Sequence, residues 1–480
     1  MKTIYKYLSI IFILALLVTS CDLLEEDPEH ILVTNNFYSN SGDAIAAVNT
    51  IYNRLYSRVY ERDMQLMADL PTDDYKNGQG MNNPSLIDLE FLQMNSQNQF
   101  VERTWQDHYD GINRANAAIN RIPEINMEDG LKNRLLGEAR FLRALFYFNL
   151  VRFFGDVPLT TVDTRELGDL NISRSPVDQV YGLIIEDLTF AENNLPAVYP
   201  SSEFGRATQG AAKALLGKVY LTRKDWSNAV SKLGEIVNNE GTYGYDLLEN
   251  YRDNWLPGTE NGPESVFSIQ MMEAPGNGNI LMRSACPRSR VPGLTGWEAD
   301  IPTVALYDFY NENDERRDAT FFTSFEVDGT LYEFPWPLFF KYYDPGKFNN
   351  TSQSNADIHV IRYADVLLMY AEALNELNGP TAEALDALNR VRSRAFNSND
   401  FNYTGLSQQE LRQAIYDERR LELAFEAHRW FDLVRTDRFV EVMTNHTENG
   451  GTQIAPHKIL MPIPQRELDV NPNLTQNPGY

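Results

Sequence analysis

The chain has 480 residues and is 43% hydrophobic, enough to bury a sizeable core in one large elaborated domain or in two to three smaller ones. A formal net charge of -25 excludes a nucleic-acid partner, which needs basic patches. Two cysteines, and six histidines scattered without metal-ligand spacing, predict neither a disulfide framework nor a metal or other cofactor site.

At the start of the chain Lys2 and Lys6 form a short basic region, followed by an apolar run from Leu8 to Val18. That run is too short to span a bilayer and reads as the core of a signal peptide. It ends in Leu17-Val18-Thr19-Ser20-Cys21, a small-residue cleavage site with cysteine as the first mature residue. The pattern resembles a bacterial lipobox, in which the soft thiol nucleophile takes diacylglycerol and further acylation makes the anchorage stable. Residues 1–20 are therefore expected to be a lipoprotein signal peptide, and 21–42 a lipidated start and polar tether, with Cys21 as the lipidation site. The alternative is an ordinary secreted protein in which Cys21 is incidental. With Cys21 committed to lipid, Cys286 has no partner and no disulfide forms. Nothing after residue 20 resembles a transmembrane helix.

Apolar residues at helical spacing (Ala44, Ala47, Val48, Ile51, Tyr52, Leu55) predict a first helix over 43–59. A second is expected from about Phe100 to Arg121 and a third from about Met127 to Phe153, stopped by Gly155-Asp156-Val157-Pro158. Ser175-Pro176-Val177-Asp178 reads as a start signal, with a capping serine, proline first and an acid to close the box, for a helix to about Glu192. In 211–233, Leu216, Gly217, Tyr220, Ala229 and Leu233 match the spacing of a tetratricopeptide repeat. Gly217 and Ala229 would let two antiparallel helices touch, while Tyr220 and Leu233 fill the seam. A comparable pair is expected at 363–394. The fold class is mostly α, a tetratricopeptide-like helical scaffold with a large irregular loop-rich subdomain. The scaffold covers 43–240.

Residues 241–358 are rich in Gly, Pro, Asn and aromatics, with short strand-like runs at Ser265 to Met271 and Phe321 to Val327. So long a stretch is improbable as a free loop, and it is expected to be a ligand-binding subdomain seated on the helices. Residues 359–480 form a C-terminal helical region, in which the capping box Ser407-Gln408-Gln409-Glu410 opens a helix to about Arg435. Its charges (Asp417 to Arg420, Glu422, Glu426, Arg429, Asp432) are expected to pair with one another at three- and four-residue spacing and not to catalyse.

Several segments in one order resemble the SusD/RagB family of Bacteroidetes outer-membrane lipoproteins. They are Cys21 with its acidic tether, Arg140-Phe141-Leu142-Arg143-Ala144 with Phe154-Gly155-Asp156-Val157-Pro158, the run Arg362 to Ala373, Asn389-Arg390-Val391-Arg392, Glu418 to Leu423 with His428 to Leu433, and the ending Lys458 to Pro464 with Asn471 to Tyr480. The resemblance implies a surface lipoprotein, facing outward from the cell outer membrane, that binds glycans or sometimes peptides as a lid over a SusC-like TonB-dependent transporter. These motifs belong to the scaffold and leave the ligand open.

A non-catalytic glycan site needs aromatic faces for the C–H surfaces of sugars and planar polar groups for their hydroxyls. Candidates in loop-like sequence are Asp73, Asp74, Tyr75 and Asn77, and, in the irregular half, Trp255, Arg283, Trp297 and Trp336. Against these stand the usual burial of tryptophan in cores and the habit of turn aspartates of bonding their own backbone. No catalytic residue is assigned: Asp73 and Asp74 are adjacent and would point in different directions in an extended segment, and no nucleophile elbow or phosphate loop is present. Glycoside hydrolysis and a purely structural role in the transporter complex remain the alternatives to glycan capture.

Overall fold

The computed structural model describes residues 37–78, 81–163, 171–272, 278–351, 353–448 and 453–480, so the signal peptide and Cys21 lie outside the described residues. Helix α1 (Ser41–Tyr52) starts at a capping box in which Asn40 and Asp43 exchange side-chain and backbone hydrogen bonds. It stops seven residues short of the expected end. A 3₁₀ turn (Asn53–Tyr56) and a five-residue π-helical turn (Val59–Asp63) follow, and the wider turn carries Glu61, Arg62 and Asp63 into the interior. Helices α2 (Gln99–Arg121) and α3 (Asp129–Phe154) fall where their periodicity places them, and α3 ends at Gly155 with φ +71°.

Helix α4 (Val177–Asn194) corrects one expectation, because Ser175 is not its cap. Ser175 pairs with Val157 in the short strands β2 (Val157–Pro158) and β3 (Arg174–Ser175), which follow β1 (Tyr75–Asn77). The Val177 amide instead donates to Asp156 Oδ1 at 2.9 Å, so the residue expected to stop α3 also caps α4. Helices α5 (Gln209–Thr222) and α6 (Trp226–Val237) pack closely at Gly217, where an added Cβ would lie 2.6 Å from the Leu233 side chain. Gly234 on α6 in turn faces Tyr370 of α7 (Tyr363–Asn378), which is followed by α8 (Ala382–Phe396).

Between the helical parts, residues 241–358 contain more regular structure than their composition suggests. Strand β4 (Ser265–Ile269) matches the expected run and pairs with β8 (Ile358–Arg362) immediately before α7. Strand β5 (Asp300–Pro302) pairs with β1 from over two hundred residues earlier. Strands β6 (Phe321–Val327) and β7 (Thr330–Phe339) form a hairpin with a register shift between Phe322 and Ser324. Under the hairpin lies a small apolar cluster that includes Met282, Cys286, Leu294, Ile301 and Leu338, separate from the main core of the helices. Burial there pushes the Cys286 thiol up to about 12.

The Ser407–Glu410 capping box is present at the start of α9 (Gln408–Glu422), but the helix does not run on to Arg435. Phe425 and Ala427 take φ of +63° and +62°, and helix geometry resumes only at α10 (Arg429–Arg435). Glu422 and Glu426, on either side of the break's start, both reach the buried Arg362 at 2.8–2.9 Å, and Glu264 joins them. The charged set is taken up in ion pairs, but most of the partners lie across the fold and not at the expected three- and four-residue spacing. Arg419 pairs with Asp365 (2.8 Å) as well as Asp432 (3.0 Å), and Arg316 with Glu418 (2.7 Å) and Glu422 (3.0 Å).

Candidate ligand-binding site

Four of the eight candidates lie in the interior. Arg429 grips Asp73 through two bonds of 2.8 Å, and Arg420 reaches Asp74 at 2.6 Å and Asp73 at 3.0 Å. Burial pushes the Asp73 carboxyl up, but Arg429 and Arg420 outweigh it and hold it well below the usual range. Asp74, buried beside that charge, is pushed up. These aspartates clamp the segment to α9 and α10; Asp73 alone reaches the edge of a cleft of about 300 Å³ shared with Arg420 and His446. Tyr75 is 1% exposed, stacked against Phe339 and Phe425 with ring centroids 5.6 Å away in each case. Trp255, also 1% exposed, packs edge-on against Tyr251 at 4.7 Å and lies under the Lys341 ammonium at 4.5 Å. Neither ring offers a face to a sugar, because each spends its apolar area in the core.

The other four converge on one region, and strand pairing is the reason. Asn77 is opposite Asp300 in the β1–β5 pair, and the Gly78 amide extends the zipper by donating to Ala299 O at 2.9 Å. A Cβ on Gly78 would meet Glu298 O at 1.5 Å, so only glycine allows this approach. The segment 283–299 then doubles back on itself. The Trp297 amide donates to Arg283 O at 2.7 Å, and that of Ala299 to Ser284 O at 2.8 Å. Gly296 fits the fold of this loop, since a Cβ there would sit 2.4 Å from Cys286 O and 2.6 Å from Arg283 O.

Trp297 is left partly exposed with Arg283 at 4.8 Å and Arg62 at 5.5 Å from its ring centre. Arg62 is buried and held by both carboxylate oxygens of Asp300, at 3.0 and 2.5 Å. Arg283 has no salt bridge among the described residues; only the indole steadies its guanidinium. Asn77 donates to Glu90 at 2.9 Å, which fixes its amide. Trp336, on β7, is also partly exposed, with Arg290 5.0 Å over its ring, and Arg290 pairs with Glu298, the residue after Trp297, at 2.9 Å. The two tryptophans are thus linked through one ion pair. Arg62, Arg290, Gly78 and Gly296 were not among the sequence candidates. The Gly296-Trp297 dipeptide is the one local signal that could have marked a tightly turned aromatic loop, whereas nothing around Arg62 sets it apart from an ordinary helical arginine.

The arrangement is two partly exposed tryptophans, one on a folded-back loop and one on β7, each with a guanidinium over its ring and joined through the Arg290–Glu298 pair. Residues 263–480 match the SusD family, and residues 22–221 match a family described as starch-binding and associating with the outer membrane. SusD-like protein P2 of Formosa agariphila is 31% identical, across 99% of this chain and 100% of the relative. Starch-binding protein SusD of Bacteroides thetaiotaomicron is 30% identical across 74% of each chain. Among solved structures, a laminarin binding SusD-like protein superposes with a TM-score of 0.79 at 31% identity, over 92% of this chain and 100% of that one. The likeness extends through the helical parts and the loop-rich part alike, and this mostly helical chain with small β elements belongs to the SusD family.

Proposed function

We propose that this protein captures a glucan at the outer membrane and passes it to a SusC-like TonB-dependent transporter, its body held outside the cell by lipid on Cys21. The observation that carries the reading is Trp297 with Arg283 beside it. A partly exposed indole can accept the C–H face of a pyranose, and a guanidinium with no carboxylate partner among the described residues has five donors for hydroxyls. Trp336, Arg290 and Asn77 extend the same surface. Laminarin is the first ligand to test, because a relative described as laminarin binding shares 31% identity over nearly the whole fold; starch, named for a second relative, is the next. Asp73 and Asp74 are engaged by arginines, so this pair supports equilibrium capture without bond cleavage. We read α5–α6 and α7–α8 as tetratricopeptide-like hairpins, and 43–240, 241–358 and 359–480 as scaffold, ligand-binding and C-terminal parts.

Calorimetric titration of the protein beginning after Cys21 with laminarin and starch oligosaccharides tests this. Saturable binding with no new reducing ends is expected. Absence of binding to both, with the transporter still co-purifying, would replace capture with a structural role, and steady release of reducing sugar would make the protein an enzyme.

A further inference from the structure

A second cavity lies away from the loops, where α3, α5, β8 and the turn before α10 meet. It has room for about 50 Å³, and a water-sized occupant needs roughly 10–15 Å³ of such space. Its wall includes Arg152, Lys218, His428, Gln65 and Glu426. Charge bookkeeping around it does not balance. Lys218, Asp365, Arg419, Asp432, Arg435 and Glu372 form one chain of ion pairs at 2.8–3.0 Å, with three bases against three acids. Glu426 is held by Arg362 and Lys341, at 2.8 and 2.9 Å. Arg152 remains, with no carboxylate partner among the described residues.

Its guanidinium bonds Phe148 O at 3.1 Å and Asn149 Oδ1 at 2.6 Å, and is sandwiched by the rings of Phe148 (3.9 Å) and Phe431 (3.7 Å). Arg152 is half-buried, and those contacts soften its loss of water but bring no negative charge. Hydrogen bonding points the same way. Among the described residues the Nη1 group of Arg152 has no acceptor. The Lys218 ammonium, a donor only, faces His428 Nδ1 at 3.4 Å, which leaves the proton of that imidazole on Nε2, where no acceptor is found among the described residues. Gln65 Oε1 has no hydrogen-bond partner among the described residues, so turning this amide over would bring its NH₂ to the cavity at no cost in bonds to Oε1. The cavity therefore has spare donors and one spare positive charge.

We propose that this cavity holds a small monovalent anion of the halide class, bound by Arg152 with Lys218 and His428 beside it. The anion completes the charge balance where the helical scaffold, the β4–β8 pair and the C-terminal turn join, so it acts on stability and not on glycan binding.

Crystals grown with bromide in place of chloride should give an anomalous peak in contact with Arg152; only water at that position would overturn the proposal. In solution, chloride or bromide should raise the melting temperature over gluconate at matched ionic strength, on the order of 1–3 °C, with no change in glucan affinity. Arg152→Met keeps the length of the side chain and removes its charge, and should abolish the halide response. A response of equal size in that variant, or none in the unaltered protein, would equally defeat the proposal. If Arg152→Met does not fold, the bromide peak decides.

Discussion

Trp297 keeps part of its ring exposed because its loop folds back through Gly296, whereas Trp255 lies between Tyr251, Lys341 and His359. Replacing each by alanine should separate recognition from stability. Trp297→Ala is expected to weaken glucan binding about tenfold or more, some 1.4 kcal/mol, with little change in melting. Trp255→Ala should leave a cavity costing about 3–5 kcal/mol, read from the denaturant midpoint. Matched losses of affinity in both variants, or a large loss of stability in the first alone, would reverse the assignment. Both tryptophans stand in loop-like sequence, and ring identity alone could not rank them. The difference is set by residues far along the chain, such as His359 against Trp255 and Arg62 against Trp297.

Elements were legible where the signal was local. The periodicities of α2 and α3 and the Ser407–Glu410 box predict helices that are present, and the Ser265 to Met271 run holds a strand as far as Ile269. What stayed hidden was long-range: the partner of β1, the break after α9 that serves Arg362, and the true cap of α4. The cap is directly testable. Asp156→Ala should cost about 1 kcal/mol, while Ser175→Ala should stay within about 0.5 kcal/mol, both measured by urea unfolding; equal costs would restore Ser175 as the cap. Gly78→Ala tests the strand pair that builds the site. Its Cβ meets backbone and not a yielding side-chain tip, so β1 and β5 must part locally. Glucan affinity should fall well over tenfold, by more than 1.4 kcal/mol, and amide exchange should quicken at Gly78 and at Lys76 and Ile301; unchanged protection at these amides would show that the pair tolerates the methyl.

At the scale of the whole molecule the buried charges set the response to pH. Burial pushes Asp63 up to about 6 and Asp69 and Asp357 up to about 7, so in the folded state they hold protons more tightly than at the unfolded value of about 3.9. Their contribution declines as pH rises from 4 towards 7. Burial lowers His108 to about 4 and His428 to about 3, so their contribution declines in the opposite direction, as pH falls below about 6.5. The two groups offset one another between roughly pH 4.5 and 6.5. Below that, nothing compensates for the paired acids. Glu426, lowered to about 2 by Arg362 and Lys341 against the effect of burial, and Asp365, Asp432 and Asp73, also lowered, lose their pairing as they take up protons. Urea midpoints across pH 3–7 should therefore be nearly level down to about 4.5 and drop steeply below pH 4. A steep loss already under way at pH 6 would mean that the histidines dominate.

The clamp of Asp73 and Asp74 by Arg429 and Arg420 spans 356 and 346 positions of sequence. Together with the β1–β5 zipper, it means that a contiguous fragment lacking either Asp73 and Asp74 or Arg420 and Arg429 cannot contain both the aromatic platform and its support. Closing loops of that size is slow compared with forming helices, so the helical hairpins can be in place well before the platform exists. Ligand binding then reports on the completeness of folding. A chain nicked between the two halves has to be reassembled in trans before it can recognise anything.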